Sequence, residues 1–236
     1  MSEKTVTLSK RLRMLADLVP QDAAVADVGC DHGFLSIYLV QKGICRKVLA
    51  MDVRKGPLSA ASEHIAEHGL TDRIQTRLSD GLIAMESGEA DTMVCAGMGG
   101  PLMAKILSDS MDKAREMKTL ILQPQSELKE FRVFLRKNGF RILKEEAMLE
   151  DGKYYFAEVV SYDGARRRKK SDVFDEYGEL LLKEKNPILK QYLEFQKNVY
   201  LEIRGNLSGD SERTRERLQG VEKTLENIEI ALGWYR

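Results

Sequence analysis

The stretch Val25-Ala26-Asp27-Val28-Gly29-Cys30-Asp31-His32-Gly33-Phe34-Leu35-Ser36 decides the fold of this chain. An apolar run ends in an acid and a Gly-x-x-x-Gly turn, and an apolar helix from Phe34 to Val40 follows at once. A second apolar run, Val48-Leu49-Ala50-Met51, ends in Asp52. A strand–turn–helix–strand unit closed by an acid holds a nucleoside: the glycine turn admits the ligand to the backbone, and the second acid takes the ribose hydroxyls. The spacing argues against a dinucleotide. No Gly-x-Gly-x-x-Gly hexad is present, and Asp31 puts an anion where a pyrophosphate would sit on the helix N-terminus. A cationic ligand without phosphate tolerates that anion. S-adenosylmethionine, with a sulfonium and an ammonium, meets the requirement.

The bulk properties are permissive. A chain of 236 residues, 43% of them apolar, can bury one large domain or a medium domain with a small one. Lys plus Arg balances Asp plus Glu at 37 each, which argues against a uniformly basic coat but leaves room for local basic patches. Cys30, Cys45 and Cys95 are odd in number and far apart, so neither a disulfide framework nor a Cys-x-x-Cys zinc site is signalled. The N-terminal segment lacks signal-peptide character, and no apolar run reaches the length of a membrane span. The expectation is a reduced, cytoplasmic protein without metal.

Working outward from the opening unit, residues 7–19 read as an amphipathic helix with Leu8, Leu12, Leu15 and Val19 on one face, stopped by Pro20. Strands are expected at Ala24–Val28, Val48–Asp52, Ile74–Leu78, Thr92–Ala96 and Thr119–Leu122, with helices at Leu58–His68, Pro101–Leu107 and Glu127–Asn138. Alternation of this kind means a mostly parallel sheet covered on both faces. Asn138-Gly139 predicts a left-handed helix cap. Arg141–Met148 and Tyr154–Tyr162 flank an Asp151-Gly152 hairpin signal, so the sheet should end in an antiparallel pair. Beyond Gly164 the pattern changes. Asn186-Pro187 starts a helix with an apolar stripe at Tyr192, Phe195, Val199 and Ile203. After a break at Gly205–Ser211, Leu218, Val221, Leu225, Ile228, Leu232 and Tyr235 form a heptad seam. The expected organisation is a nucleoside-binding α/β domain over residues 1–162 and a helical hairpin, or coiled coil, over 163–236.

Three further segments carry chemistry. Ser79-Asp80-Gly81 follows the third strand, where an acid can accept from an adenine amino group. Cys95-Ala96-Gly97-Met98-Gly99-Gly100-Pro101 forms a glycine ledge on which a planar base can lie. Gln123-Pro124-Gln125 adds amides on the same edge, able to bond a base edge or simply to begin a helix. Cys30 has no evident base beside it and is read as packing rather than as a nucleophile. His64 and His68 stand one helical turn apart without a third ligand and are read as a solvated face. Three basic groups suggest a polyanion track: Lys4, Lys10, Arg11 and Arg13; Arg132, Arg136 and Lys137; and the run Arg166-Arg167-Arg168-Lys169-Lys170.

The Asp27-Val-Gly-Cys-Asp-His-Gly turn, the Ala96-Gly-Met-Gly-Gly ledge, Leu122-Gln-Pro-Gln and the C-terminal helical hairpin together resemble the bacterial tRNA (adenine-N1)-methyltransferase family TrmK. The resemblance covers almost the whole chain. It implies a Rossmann-like class I methyltransferase sheet with a C-terminal coiled coil, and methyl transfer from S-adenosyl-L-methionine to N1 of adenine 22 in tRNA. Cofactor contacts are then expected from Asp27, Gly29, Cys30, Asp31, His32, Gly33, Asp52, Val53, Asp80, Gly81, Ala96 and Gly97. Asp31, Gly97 and Met98 are the candidate catalytic positions, and Lys10, Arg11, Arg13, Arg132, Arg136, Arg166, Arg167 and Arg168 the candidate RNA contacts. Two other functions fit the residues: a small-molecule methyltransferase whose helical hairpin serves dimerisation, and a non-catalytic RNA-binding module on the same scaffold.

Overall fold

The computed structural model describes residues 5–165, 167–169, 171–208 and 211–236. Lys4, Arg166 and Lys170, three of the expected basic positions, lie outside the described residues. Two compact units emerge. One comprises the residues up to Glu146 together with Tyr155–Arg167, and the other Ala147–Tyr154 together with Arg168–Arg236. A single cut at residue 162 therefore misses one feature: the tip of a long hairpin groups with the C-terminal helices, while its base belongs to the sheet.

The first unit opens with α1 (Lys10–Leu18), which begins later than the apolar spacing suggests because Ser9 caps it, its Oγ accepting from the Leu12 amide at 3.3 Å. Strands β1 (Ala23–Val28), β2 (Cys45–Asp52), β3 (Ile74–Leu78), β4 (Thr92–Met98) and β5 (Thr119–Pro124) are parallel. β6 (Phe140–Glu150) and β7 (Lys153–Tyr162) complete a seven-stranded sheet ordered β3-β2-β1-β4-β5-β7-β6, with β7 antiparallel to β5. Asp151 and Gly152 both take positive φ, 50° and 74°, as the two-residue hairpin turn between β6 and β7 requires.

Helices cover both faces of the sheet. The side chains of β1 are all buried and alternate between two cores. Val25 joins Leu15, Ile37, Leu39 and Ile65 from α1, α2 (Phe34–Gln41) and α3 (Lys55–Glu67). Ala26 and Val28 join Met103, Leu107, Ala114, Phe131 and Leu135 from α4 (Gly100–Asp109), α5 (Met111–Glu116) and α6 (Leu128–Lys137). Strand order reverses between β1 and β4, so their carboxyl ends open a crevice there.

The structure corrects the expected role of α6. Arg132 and Arg136 are buried, not on a surface track. The Arg132 guanidinium reaches Glu145 of β6 at 3.0 Å and Glu158 of β7 at 3.1 Å. Burial pushes the Glu158 carboxyl up to about 8; Arg132 opposes the shift and Glu145 adds to it. A carboxyl raised in the folded state keeps its proton there, so its contribution to stability is full below the ordinary carboxylate range and is lost as pH rises through about 8. Glu158→Gln should therefore match wild type in melting temperature at pH 5 and exceed it at pH 9, as read by calorimetry. Equal melting temperatures at both pH values would contradict the assignment.

The second unit holds α7 (Asp172–Tyr177), α8 (Glu179–Lys183), α9 (Pro187–Asn206) and α10 (Glu212–Gly233). α7 and α8, like α5, are too short for a helical period to show in sequence. Asn186 caps α9, its Oδ1 accepting from Ile188 and Leu189 at 2.9 and 3.1 Å. The α10 seam is observed, with Val221, Leu225 and Ile228 buried. The α9 stripe is not. Its buried residues are Leu189 and Leu193, while Phe195 is 52% exposed. Tyr192 and Phe195 instead face Tyr154 of the hairpin tip, at ring distances of 5.2 and 6.0 Å. Among the described residues, no helix is long and apolar enough to cross a membrane.

Candidate active site

A cavity of about 500 Å³ lies at the carboxyl ends of β1, β2, β3 and β4 in the first unit. β1 delivers Asp27, 4% exposed, whose Oδ2 accepts from Ser36 Oγ at 2.6 Å. Burial pushes its carboxyl up to about 6, partly offset by the Ser36 bond and reinforced by Asp52. Beyond it, the amides of Gly29 and Cys30 both donate to the Met51 carbonyl, at 2.8 and 2.9 Å, folding the turn over β2. Gly29 has φ 76°, a conformation that favours glycine, and a Cβ there would meet the flexible end of Met98, its Cε, at 2.2 Å and displace it.

Asp52 ends β2, also 4% exposed. Its Oδ1 accepts from the Arg54 amide at 2.8 Å and its Oδ2 from the Asp31 amide at 3.4 Å, which locks its orientation. The Asp31 carboxylate stands 3.8 Å from Arg54 and 3.9 Å from His32 on the cavity rim. Ser79 fixes the loop after β3, its amide donating to the Asp52 carbonyl at 3.0 Å and its hydroxyl to the Gly81 carbonyl at 2.8 Å. Asp80 and Gly81 thereby line the cavity.

The glycine ledge has a structural cause. Register slips between Ala96 and Met98 opposite Gln123 and Pro124, and Gly97, with φ 78°, is the extra residue. Such a bulge interrupts the pairing and bends the chain locally before pairing resumes between Met98 and Pro124. The Gln125 amide donates to the Met98 carbonyl at 2.8 Å, clipping the ledge to the loop after β5.

Of the twelve expected cofactor positions, eleven line this cavity: Asp27, Gly29, Cys30, Asp31, His32, Asp52, Val53, Asp80, Gly81, Ala96 and Gly97. Gly33 does not. It caps α2 with φ 75°, and a Cβ there would press Ala61 of α3 at 3.2 Å, so it serves the turn and the helix packing. Met98 lines the cavity, and its thioether packs over Gly29 and reaches Cys95 Sγ at 3.8 Å. Cys30 is buried, and burial beside Asp27 and Asp52 pushes its thiol up, against a nucleophilic role. His64 and His68 bond the carbonyls of His32 and His64 through Nδ1. Among the described residues, no group of three or more His, Cys, Asp or Glu is placed to hold a metal.

Several lining residues had no sequence expectation as such: Phe34, Arg54, Ser79, Leu102 and Ile106. Arg54 had a usable signal, since an acid bonding the amide two residues on is a common turn. Arg11, expected as an RNA contact, stands at the cavity. It lines the cavity, donates to Gln123 Oε1 at 3.1 Å and lies over the Tyr155 ring at 5.6 Å. Lys10 sits at the start of α1, and Arg13 is exposed and paired with Asp17 at 2.9 Å. Arg167 is paired with Asp163, and Arg168 is exposed.

The sheet order, the two acids ending β1 and β2 and the glycine ledge are those of a methyltransferase. A family model for a methyltransferase domain matches residues 8–157, and the chain belongs to that family. It is 33% identical over 226 residues to the tRNA (adenine(22)-N(1))-methyltransferase of Bacillus subtilis strain 168, covering 93% of this chain and 94% of that protein. The crystal structure of the B. subtilis m1A22 tRNA methyltransferase TrmK superposes with a TM-score of 0.85 at 30% identity, covering 96% of this chain and 99% of that one. M. capricolum TrmK, solved in complex with the cofactor product S-adenosyl-homocysteine, gives a TM-score of 0.84 at 25% identity, with coverages of 97% of this chain and 99% of that one. Within the methyltransferases, this chain belongs to the tRNA (adenine(22)-N(1))-methyltransferase family.

Proposed function

We propose that this protein methylates N1 of adenine 22 in tRNA, in the cytoplasm, with S-adenosyl-L-methionine as donor. The observation that carries the reading is the pairing, in one cavity, of a locked carboxylate at the end of β2 with a backbone ledge at the end of β4. The donor set fits the cofactor. Asp52 would accept from the ribose hydroxyls, Asp80 from the adenine amino group, and the turn from Gly29 to Asp31 would face the amino acid portion. Bound there, the cofactor supplies an electrophilic methyl group.

The chain's own residues then have little acid–base work. Adenine N1 carries an in-plane lone pair and loses no proton before it is methylated, so no general base is required. The ring becomes cationic, and the Asp31 carboxylate on the rim favours that charge. Gly97 and Met98 form the surface against which the base is aligned, which is where most of the rate enhancement arises. A base in folded tRNA must leave its stack to reach the cavity. Residues 163–236, with Lys10, Arg13 and Arg168, are assigned to hold the RNA body.

Incubation with methyl-labelled cofactor and bulk tRNA, followed by mapping of the modified base, tests the reading. Label at N1 of adenine 22 supports it. Transfer only to free nucleosides would favour a small-molecule enzyme, and no transfer despite tRNA binding a non-catalytic module. The RNA contacts have a separate readout. Lys10→Gln, Arg13→Gln and Arg168→Gln together should weaken tRNA binding and lower the salt slope by about 1 for each phosphate that is no longer neutralised, with cofactor affinity intact. An unchanged slope would move the RNA track elsewhere.

A further inference from the structure

Gln123 lies in the last residues of β5 and Gln125 directly after it, and the structure uses them differently. The Gln123 carboxamide is buried and engaged at both ends: Oε1 accepts from Arg11 at 3.1 Å and Nε2 donates to the Pro124 carbonyl at 3.1 Å. Gln125 lies one turn of the loop further on, exposed, with its backbone clipped to Met98 at 2.8 Å. Its side-chain amide lines the cavity, and Nε2 comes within 3.7 Å of where a Cβ on Gly97 would stand. Among the described residues no hydrogen bond engages that amide. A carboxamide thus hangs over the ledge on a rigidly held backbone.

The reaction restricts what this amide can read. N1 lies on the Watson–Crick edge of adenine and must be left open to the methyl group. The edge bearing N7 and the N6 amino group is then the one available for recognition. It presents one acceptor and one donor, which a glutamine carboxamide matches in bidentate fashion. Guanine offers N7 and O6, both acceptors, on that edge, and Gln125 Oε1 would face O6 unpaired.

We infer that Gln125 is the specificity-determining residue for the target base, with Oε1 accepting from the N6 amino group and Nε2 donating to N7, so that N1 is turned to the reacting methyl. The assignment rests on the proposed methylation of adenine N1. It differs from an RNA-backbone contact because it predicts coupling to a single atom of the base.

The test is an atomic double cycle. Full-length wild type and Gln125→Ala are each assayed on tRNA carrying adenine or 7-deazaadenine at the target position, the latter lacking only the N7 acceptor. Wild type should fall on the order of 10-fold in kcat/KM on the deaza substrate. Gln125→Ala should fall on the order of 10- to 100-fold on adenine and show no further decrease on 7-deazaadenine. Its tRNA affinity and its cofactor affinity should stay within about twofold of wild type, since phosphate contacts dominate the former. Equal deaza penalties in both proteins would overturn the inference, as would a full rate for Gln125→Ala or a drop in tRNA affinity that matches the drop in rate. Absence of methylation at adenine N1 by wild type would instead defeat the proposed function, so the two failures are distinguishable.

Discussion

Asp52→Ala is expected to weaken S-adenosylmethionine binding by about 100-fold or more, with the protein still folded. Two charge-assisted hydrogen bonds to ribose hydroxyls are at stake, each worth roughly 1.5–3 kcal/mol when the acceptor is ionised. The carboxylate is already oriented by the Arg54 amide at 2.8 Å, so little ordering cost is offset against them. Asp52→Asn keeps one acceptor for that amide and should fall between wild type and alanine. Titration calorimetry decides the matter, with circular dichroism as the check on folding. Unchanged affinity in a folded Asp52→Ala protein would remove the assignment of β2's terminal acid to the ribose.

The largest expected effect on stability comes from Arg132→Met. The guanidinium is buried between Glu145 and Glu158, at 3.0 and 3.1 Å. Removing it strands the Glu145 carboxylate in a low-dielectric interior, beside a Glu158 carboxyl that keeps its proton. Breaking such an arrangement from one side costs about 3–5 kcal/mol. For a chain of 236 residues that corresponds to a fall of roughly 10–15 °C in melting temperature. Arg132→Met combined with Glu145→Gln and Glu158→Gln should recover much of the difference, because neutral amides remain buried more cheaply than unpaired charges. A fall of only a few degrees for the single variant would mean that Glu145 takes up a proton and the buried cluster becomes neutral. Scanning calorimetry at pH 7 separates the two outcomes.

Both predictions concern charged residues whose settings differ in how far sequence reveals them. Asp52 was legible because the unit that presents it is local: an apolar run, an acid at its end and a glycine turn before it are all within one strand–helix–strand segment. Arg132 and Arg136 were not: both are buried in the folded chain, and the partners of Arg132 come from strands that follow the helix and pair back onto the sheet. Spaced one helical turn apart and next to Lys137, they read as a solvated basic face. The α9 stripe failed for a related reason. Tyr192 and Phe195 satisfy a helical period, but aromatic rings also pack against a third element, and the hairpin tip supplies Tyr154.

By itself the sequence determined the alternation of the strands with the longer helices, the parallel sheet with its antiparallel end, the glycine turn, the acids ending β1 and β2 and the seam of α10. These follow from periodicity and from φ values that only certain residues adopt, and both act over short stretches of chain. Only the tertiary structure decided that the extra residue in β4 is Gly97, that Gly33 serves α3 rather than the cavity, that Arg11 belongs to the site, and that Gln125 rather than Gln123 keeps an open amide above the ledge. Each of these depends on which remote groups come within a few ångströms once the sheet closes, and local pattern carries no record of that.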